Sequence, residues 1–178
     1  GATGVTTVKV ANSTADSGNI TLGSIAAVSV AHQIKAVNLT GSTATTLALA
    51  LDTVGTTAAP AVVDLGVSTA SKATTVNITA NASNVEIKDT TGSNVATAAS
   101  IAAQGANTLK LTDGEALASL TVTGTGSVDV SSVDLVKVAT LTVDDGGITF
   151  KTGSSTATTF SATTGAGKDA LTVDGANV

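Results

Sequence analysis

The chain has 178 residues, a net charge of −5 and no cysteine, so neither disulfides nor thiolate metal sites contribute to it. All eight basic residues are lysine and aromatic residues make up only 1% of the chain, which excludes the arginine-rich and stacking surfaces that bind nucleic acids. No apolar run approaches the roughly 20 residues of a membrane span, and we predict none.

A strict two-residue alternation of Val, Leu or Ile with Thr, Ser, Asn or Lys dominates the sequence. Alternation places one face of a strand in a core and the other in solvent, so it predicts β-strands. The segments that alternate are 6–10, 19–23, 36–41, 46–52, 74–80, 84–89, 108–114, 119–124, 127–132, 140–145, 147–152 and 169–175. Gly, Ser, Asn and Asp separate them, and Pro60 is expected to mark a strand edge.

One Ala-rich segment departs from this pattern. Residues 93–107 begin with Ser93, a possible N-cap, and end near Gly105, which predicts a short helix or a capping turn. We treat 1–178 as a single elongated β-domain, with a possible subdivision near 93–107. We also expect the chain to be a fragment of a larger protein, because it opens on "GATGVTTVKV" without Met.

The second half of the chain repeats strand, turn and strand about every twenty residues. A fixed period in this range indicates a solenoid, in which each coil buries its apolar face against its neighbours. We therefore predict an all-β, parallel β-helix-like solenoid with irregular coils. A β-sandwich is the alternative, since strands recur every 8–12 residues.

The stretch "TTGAGKDALTVDG" (163–175) carries the clearest chemical signal. Gly165 and Gly167 allow the backbone carbonyls to turn inward, and Asp169 adds a carboxylate oxygen. Calcium takes six to eight oxygen ligands, so this turn alone would supply only about half of them. Asp144 and Asp145, which precede two glycines about one coil earlier, would supply the other half, and Asp174 is a further candidate. A plain β-turn with a solvated Asp169 is the alternative.

The segment "TGAGKDALTV" resembles the Gly-Gly-x-Gly-x-Asp-x-apolar-x nonapeptide of RTX calcium-binding repeats, with Thr164 in place of the first glycine. The Thr-, Ala- and Val-rich strands without Cys resemble bacterial surface-layer (S-layer) proteins of the type I-secreted kind. This resemblance implies a secreted structural protein of the cell surface that self-assembles into a lattice with calcium. It also implies ligand roles for Gly165, Gly167 and Asp169.

Catalysis is not expected. The only histidine, His32, has neither a nucleophile elbow nor an oxyanion-hole motif beside it, and we predict an exposed residue at a strand end. The alternatives to a lattice segment are a stalk of a large calcium-dependent adhesin and, less favoured, a polysaccharide-active β-helix enzyme. The expected partners are copies of the chain itself, with cell-surface polysaccharide bound through another region.

Overall fold

The computed structural model describes residues 4–69, 71–91, 96–112, 116–132, 135–154 and 159–174. Sixteen β-strands make up its regular structure, and no α-helix occurs within those ranges. In chain order the strands are β1 (Thr7–Ala11), β2 (Ile20–Gly23), β3 (Ala27–Ala31), β4 (Val37–Ser42), β5 (Thr46–Asp52), β6 (Ala61–Asp64), β7 (Thr75–Asn81), β8 (Asn84–Lys88), β9 (Ala98–Gln104), β10 (Ala106–Leu111), β11 (Ser119–Gly124), β12 (Ser127–Asp129), β13 (Thr140–Val143), β14 (Ile148–Ser154), β15 (Ser161–Thr163) and β16 (Ala170–Asp174).

The strands form two eight-stranded sheets. The first sheet contains the odd-numbered strands in the order β1 to β15, and the second contains the even-numbered strands in the order β2 to β16. Each coil therefore contributes one strand to each sheet, and the chain winds through about seven turns of a β-solenoid. This confirms the predicted fold class. Every ladder between the described strands is parallel, which rules out the antiparallel β-sandwich.

Twelve of the sixteen strands coincide with the segments predicted from alternation. Four strands were not predicted, namely β3, β6, β9 and β15. β6 reads AVVD, and its half-buried Val62 on the outer side interrupts the alternation. β15 is three residues long and contains no apolar residue larger than Ala162. Pro60 directly precedes β6, as predicted.

The predicted helix or capping turn over 93–107 is wrong for the residues that can be compared. Residues 98–104 form β9, a central strand of the first sheet, whereas Ser93 lies outside the described residues. Ala99, Ile101 and Ala103 point inward and are buried. The alternation is hard to see in the sequence because the outward positions of this strand also carry small residues. Pairing with both neighbouring strands decides the conformation against alanine's helix propensity.

Branched aliphatic side chains fill a thin core between the sheets. Val28, Leu49, Ile78, Ile101 and Val122 follow one another in register along the first sheet, and each is almost fully buried. One cluster of buried residues extends from the second strand to β14 without a break at β9. Near the C-terminal end, the Phe150 and Phe160 rings stack with their centroids 5.8 Å apart.

The coils of the second half have a constant length. In-register partners in successive strands of the first sheet are 21 residues apart from β9 onward, as in the series Ala98, Ser119, Thr140 and Ser161. Earlier coils vary, and Thr46 pairs with Thr75, which is 29 residues further along the chain. The extra residues lie in the connections between strands, so the pairing itself is unaffected.

The outer faces of the two sheets differ in charge. Outward positions of the first sheet carry Ala, Ser, Thr, Asn and Gln, with charges only at Lys9 on β1 and at Asp52 at the end of β5. The second sheet carries its outward charges across its middle strands: Glu86 and Lys88 on β8, Lys110 on β10, Asp129 on β12 and Lys151 on β14.

Candidate functional site

The turns that lead from the first sheet to the second stack on one another along one corner of the solenoid. In the last coils this corner contains a glycine column, which we define as Gly105, Gly126, Gly146 and Gly167. A Cβ atom on Gly126 would lie 2.5 Å from the carbonyl oxygen of Gly105, and one on Gly146 would lie 2.2 Å from that of Gly126. Likewise, a Cβ on Gly167 would lie 2.3 Å from Gly146 O. Each turn therefore rests on the bare backbone of the turn before it.

Two aspartates connect the last two of these turns. The Asp145 carboxylate accepts a hydrogen bond from the Ala166 N–H (3.3 Å), and the Asp169 carboxylate accepts one from the Ile148 N–H (3.1 Å). Each turn thus supplies a carboxylate to a backbone donor of the other. This arrangement satisfies backbone N–H groups at a corner where the strand ladder is interrupted.

Five of the six predicted ligand residues come together in these two turns. Gly165 packs against the Asp144–Asp145 peptide, and Gly167 packs against Gly146. The sixth, Asp174, lies at the other end of β16, where its N–H donates to Thr152 Oγ1 (3.0 Å). The length of the strand, about 3.3 Å per residue, separates Asp174 from Asp169.

The carboxylates alone do not make up a metal site. Within the described ranges, no group of three or more His, Cys, Asp or Glu side chains is placed to hold a metal ion. A calcium ion here would need backbone carbonyls in addition to Asp145 and Asp169, which is how glycine-rich turns contribute oxygen ligands. Calcium binding at these turns therefore stays a prediction.

A groove of about 610 Å³ runs beside the turns. Glycines line much of it, and the hydroxyl side chains of Thr125, Ser127 and Thr149 line the rest, with Asp145 and Lys168 at the last two turns. The groove exists because the turns carry no side chain larger than these on that side. Its surface mixes backbone, hydroxyl and apolar atoms and carries one residue of each charge, Asp145 and Lys168.

Sequence reasoning missed a set of buried polar side chains at the same corner, from the first coils up to the coil of Gly105. Asn107, which is 4% exposed, accepts a hydrogen bond from Ser83 N–H (3.0 Å) and donates to Gln104 O (3.0 Å). Ser83 Oγ in turn accepts from Val54 N–H (3.1 Å), and the fully buried Gln33 accepts from Ser13 N–H (2.9 Å). A signal existed for Asn107, since it occupies an inward, normally apolar position of β10.

Two buried aspartates lie at the opposite corner, and their partners are hydroxyl and amide groups of the same turn or of a neighbouring coil. Asp64 accepts hydrogen bonds from Gly66 N–H (3.0 Å) and from the Thr90 hydroxyl. Asp89 accepts them from Thr91 N–H (3.0 Å) and the Thr91 hydroxyl. These are side-chain turns that end strands β6 and β8. The Thr and Gly that follow the aspartates in the sequence are the signal for them.

Glu86, on the outer face of the second sheet, has a clear pKa shift. It accepts hydrogen bonds from Thr112 Oγ1 (2.7 Å) and Lys110 Nζ (2.9 Å). The Thr112 bond, followed by the Lys110 bond, lowers the pKa of Glu86 below its ordinary value of 4.5, against the opposing effect of partial burial. The Lys110 pair is half exposed, so it adds little to stability.

His32 lies directly after β3, with an exposed side chain and a positive φ of 50°. This is the position at a strand end that the sequence predicted.

Comparison of the chain with protein-family models, with curated proteins and with solved structures finds no match. Among the described residues, no helix has the length and apolar character needed to cross a bilayer.

Proposed function

We propose that this chain is a structural segment of an extracellular bacterial surface layer, which assembles with copies of itself and is stabilised by calcium at the stacked turns. The observation that carries the proposal is the two-sheet solenoid, because both sheets run the length of the described structure, with a register shift on β14 between Lys151 and Ser154. Such a body is stiff along its axis and presents the same surfaces coil after coil. In this proposal the chain is secreted, lies at the cell surface and has no catalytic role.

The acidic character of the chain and the position of its carboxylates support a role for calcium. Asp144, Asp145 and Asp169 lie in two adjoining turns whose glycines leave the backbone carbonyls unscreened by side chains. A divalent cation there would tie the last two coils together. The resemblance of "TGAGKDALTV" to an RTX nonapeptide also supports this part of the proposal.

The first experiment is a calcium titration by calorimetry, combined with thermal unfolding in calcium and in chelator. A ligand that binds only the folded state stabilises it by about 2.7 kcal/mol at a hundred times its dissociation constant. We expect calcium to raise the melting temperature of the unmodified chain and not that of Asp169→Ala. Asp16→Ala is the matched control, since Asp16 also accepts a backbone N–H from a neighbouring coil, that of Ala36 (2.9 Å), but outside the glycine column.

The second experiment is electron microscopy of the chain with and without calcium. The surface-layer proposal predicts planar, ordered arrays that require calcium. Isolated particles under all conditions, with no heat of calcium binding, would contradict it.

The constant 21-residue coils of the second half support one alternative, a stalk segment of a calcium-dependent adhesin. A stalk needs uniform coils and no lateral contacts. It would bind calcium and gain stability, yet remain monomeric in the same experiments.

A further inference from the structure

The outer face of the first sheet, which we call the neutral face, carries the surface that best explains how two copies would meet. Its outward positions lie in straight rows because the register from β1 to β15 is unbroken. One such row contains Ala48, Asn77, Ser100, Thr121, Thr142 and Thr163. The side chains of this row are all small or of medium size, and none is charged.

The area of the neutral face is sufficient for a stable interface. Eight strands spaced about 4.8 Å apart, each three to seven residues long at about 3.3 Å per residue, cover roughly 700 Å². Stable protein interfaces bury about 600 to 1,000 Å² per partner. A flat contact over most of the neutral face therefore reaches the size of a specific interface.

The side chains of the neutral face lose little freedom when they are covered. Alanine loses no rotamer entropy on burial, and serine and threonine lose much less than lysine or glutamate. Part of the polar surface is already paired, because Ser100 Oγ bonds to Asn77 Oδ1 (2.8 Å) and Asn81 Nδ2 bonds to Asp52 Oδ1 (2.9 Å). The cost of ordering this surface against a partner is therefore low.

The charge distribution favours this face over the opposite one. Glu86, Lys88 and Lys110 lie together on the outer face of the second sheet, where they stay hydrated. Two copies with a net charge of −5 each would repel one another least when they approach through a surface whose only charges are Lys9 and Asp52.

We propose that two copies of this chain stack through their neutral faces, with the same face contributed by each copy. The contact is isologous, so a residue on one copy meets the equivalent surface of the other. This inference rests on the proposed self-assembly and specifies its first contact, which does not involve calcium. The exposed strand edges and turns at the ends of the solenoid would then make the remaining contacts of a lattice.

The test is sedimentation velocity of the full 178-residue chain in chelator over a range of concentrations, with two matched variants. Thr142→Lys puts a charge on an exposed position of β13 in the neutral face, and Thr149→Lys puts one on an exposed position of the next strand, β14, in the second sheet. We expect dimers for the unmodified chain and for Thr149→Lys. For Thr142→Lys we expect dimerisation to weaken about a hundredfold, because the contact would bury a lysine ammonium group without a partner.

A second substitution on the neutral face, Thr79→Lys on β7, checks the result at the centre of the sheet. Thermal melts of all three variants establish that each one folds. A chain that stays monomeric at all concentrations would overturn the inference, as would dimers that respond equally to Thr142→Lys and Thr149→Lys. A monomer whose neutral face instead binds an insoluble glycan would also overturn it and would replace the second copy with carbohydrate.

The two proposals fail in different ways. Calcium-dependent arrays that persist in Thr142→Lys would support the surface layer and contradict stacking through the neutral face. Dimers in chelator that are lost in Thr142→Lys, without any array in calcium, would support stacking and contradict the surface layer.

Discussion

The corner that leads from the first sheet to the second is built in two different ways in the two halves of the molecule. In the first coils, non-glycine residues take the positive φ that the turn requires, namely Asn12, His32, Thr53 and Ala82, with φ between 45° and 53°. In the later coils the glycine column takes over this corner. Within the column only Gly105 has a positive φ, of 66°, so the later turns differ from the early ones in backbone path as well as in chemistry.

Each way of building the corner makes it sensitive to a different kind of substitution. The early turns accept left-handed strain of about 1–2 kcal/mol per residue, and they are supported by buried polar side chains such as Gln33 and Ser83. The later turns, after the coil that contains Gly105 and Asn107, have no such side chains in the column and instead approach backbone to backbone. The comparison shows that the early corner is sensitive to the loss of a hydrogen bond, whereas the later corner is sensitive to the gain of a methyl group.

The largest effect is expected from Gly146→Ala. Its Cβ would lie 2.2 Å from Gly126 O, which is backbone and cannot rotate away, so the coils would have to separate. We expect a loss of about 3 kcal/mol in the free energy of unfolding, measured by urea denaturation.

Gly18→Ala is the control for that variant, because a Cβ on Gly18 meets nothing within 4 Å. Its stability should change by less than about 0.5 kcal/mol. Equal losses in the two variants would show that close stacking of the turns is not the reason why these positions require glycine.

Asn107→Ala tests the hydrogen-bonded part of the corner. The substitution removes the acceptor for Ser83 N–H and leaves buried backbone groups without a partner, so we expect a loss of about 2 kcal/mol in the free energy of unfolding. Asn77→Ala, on the exposed neutral face, should cost far less. Similar losses for both would mean that burial adds nothing to the value of the Asn107 bonds.

Ala82→Gly should stabilise the protein. Glycine adopts φ of 45° without strain, and the gain exceeds its entropic cost by about 0.5 kcal/mol. Thermal unfolding would show this as a small rise in melting temperature. Ala48→Gly, in an extended strand, should lower it instead, and a fall in both variants would contradict the assignment of strain to the early turns.

The smallest effect concerns Glu86 and pH. Because its folded pKa lies below 4.5, the contribution of Glu86 to stability is present above that value and is lost as pH falls through the folded pKa. Thr112→Val removes the main cause of the shift and should raise the pKa of Glu86, as followed by NMR titration of its carboxyl group. The free energy of unfolding at neutral pH should fall by a few tenths of a kcal/mol. An unchanged pKa would show that Lys110 alone sets it.

The sequence was sufficient for the fold class and for most strands, because alternation is visible in most strands whose inward positions carry large aliphatic residues. β3 was missed all the same, although Val28 and Val30 face inward. The sequence also failed at β9, where both faces carry small residues, so that pairing with the neighbouring strands decides between a strand and a helix. The positions of Gly165, Gly167 and Asp169 in one turn followed from their spacing. Their contacts with Asp144 and Asp145 depend on coil length, which is constant only in the second half. The prediction for Asp174 relied on closeness in sequence to Asp169, but β16 lies between the two residues and places them at opposite ends of the strand.

The backbone hydrogen bonds of both sheets run along the axis of the solenoid, from one coil to the next. A force applied along that axis through the two end coils loads these bonds one coil at a time. The terminal coil would therefore peel away first, and each 21-residue coil would release roughly 70 Å of extended chain. Such a body yields in many small steps and absorbs work at each one, so it resists sudden rupture.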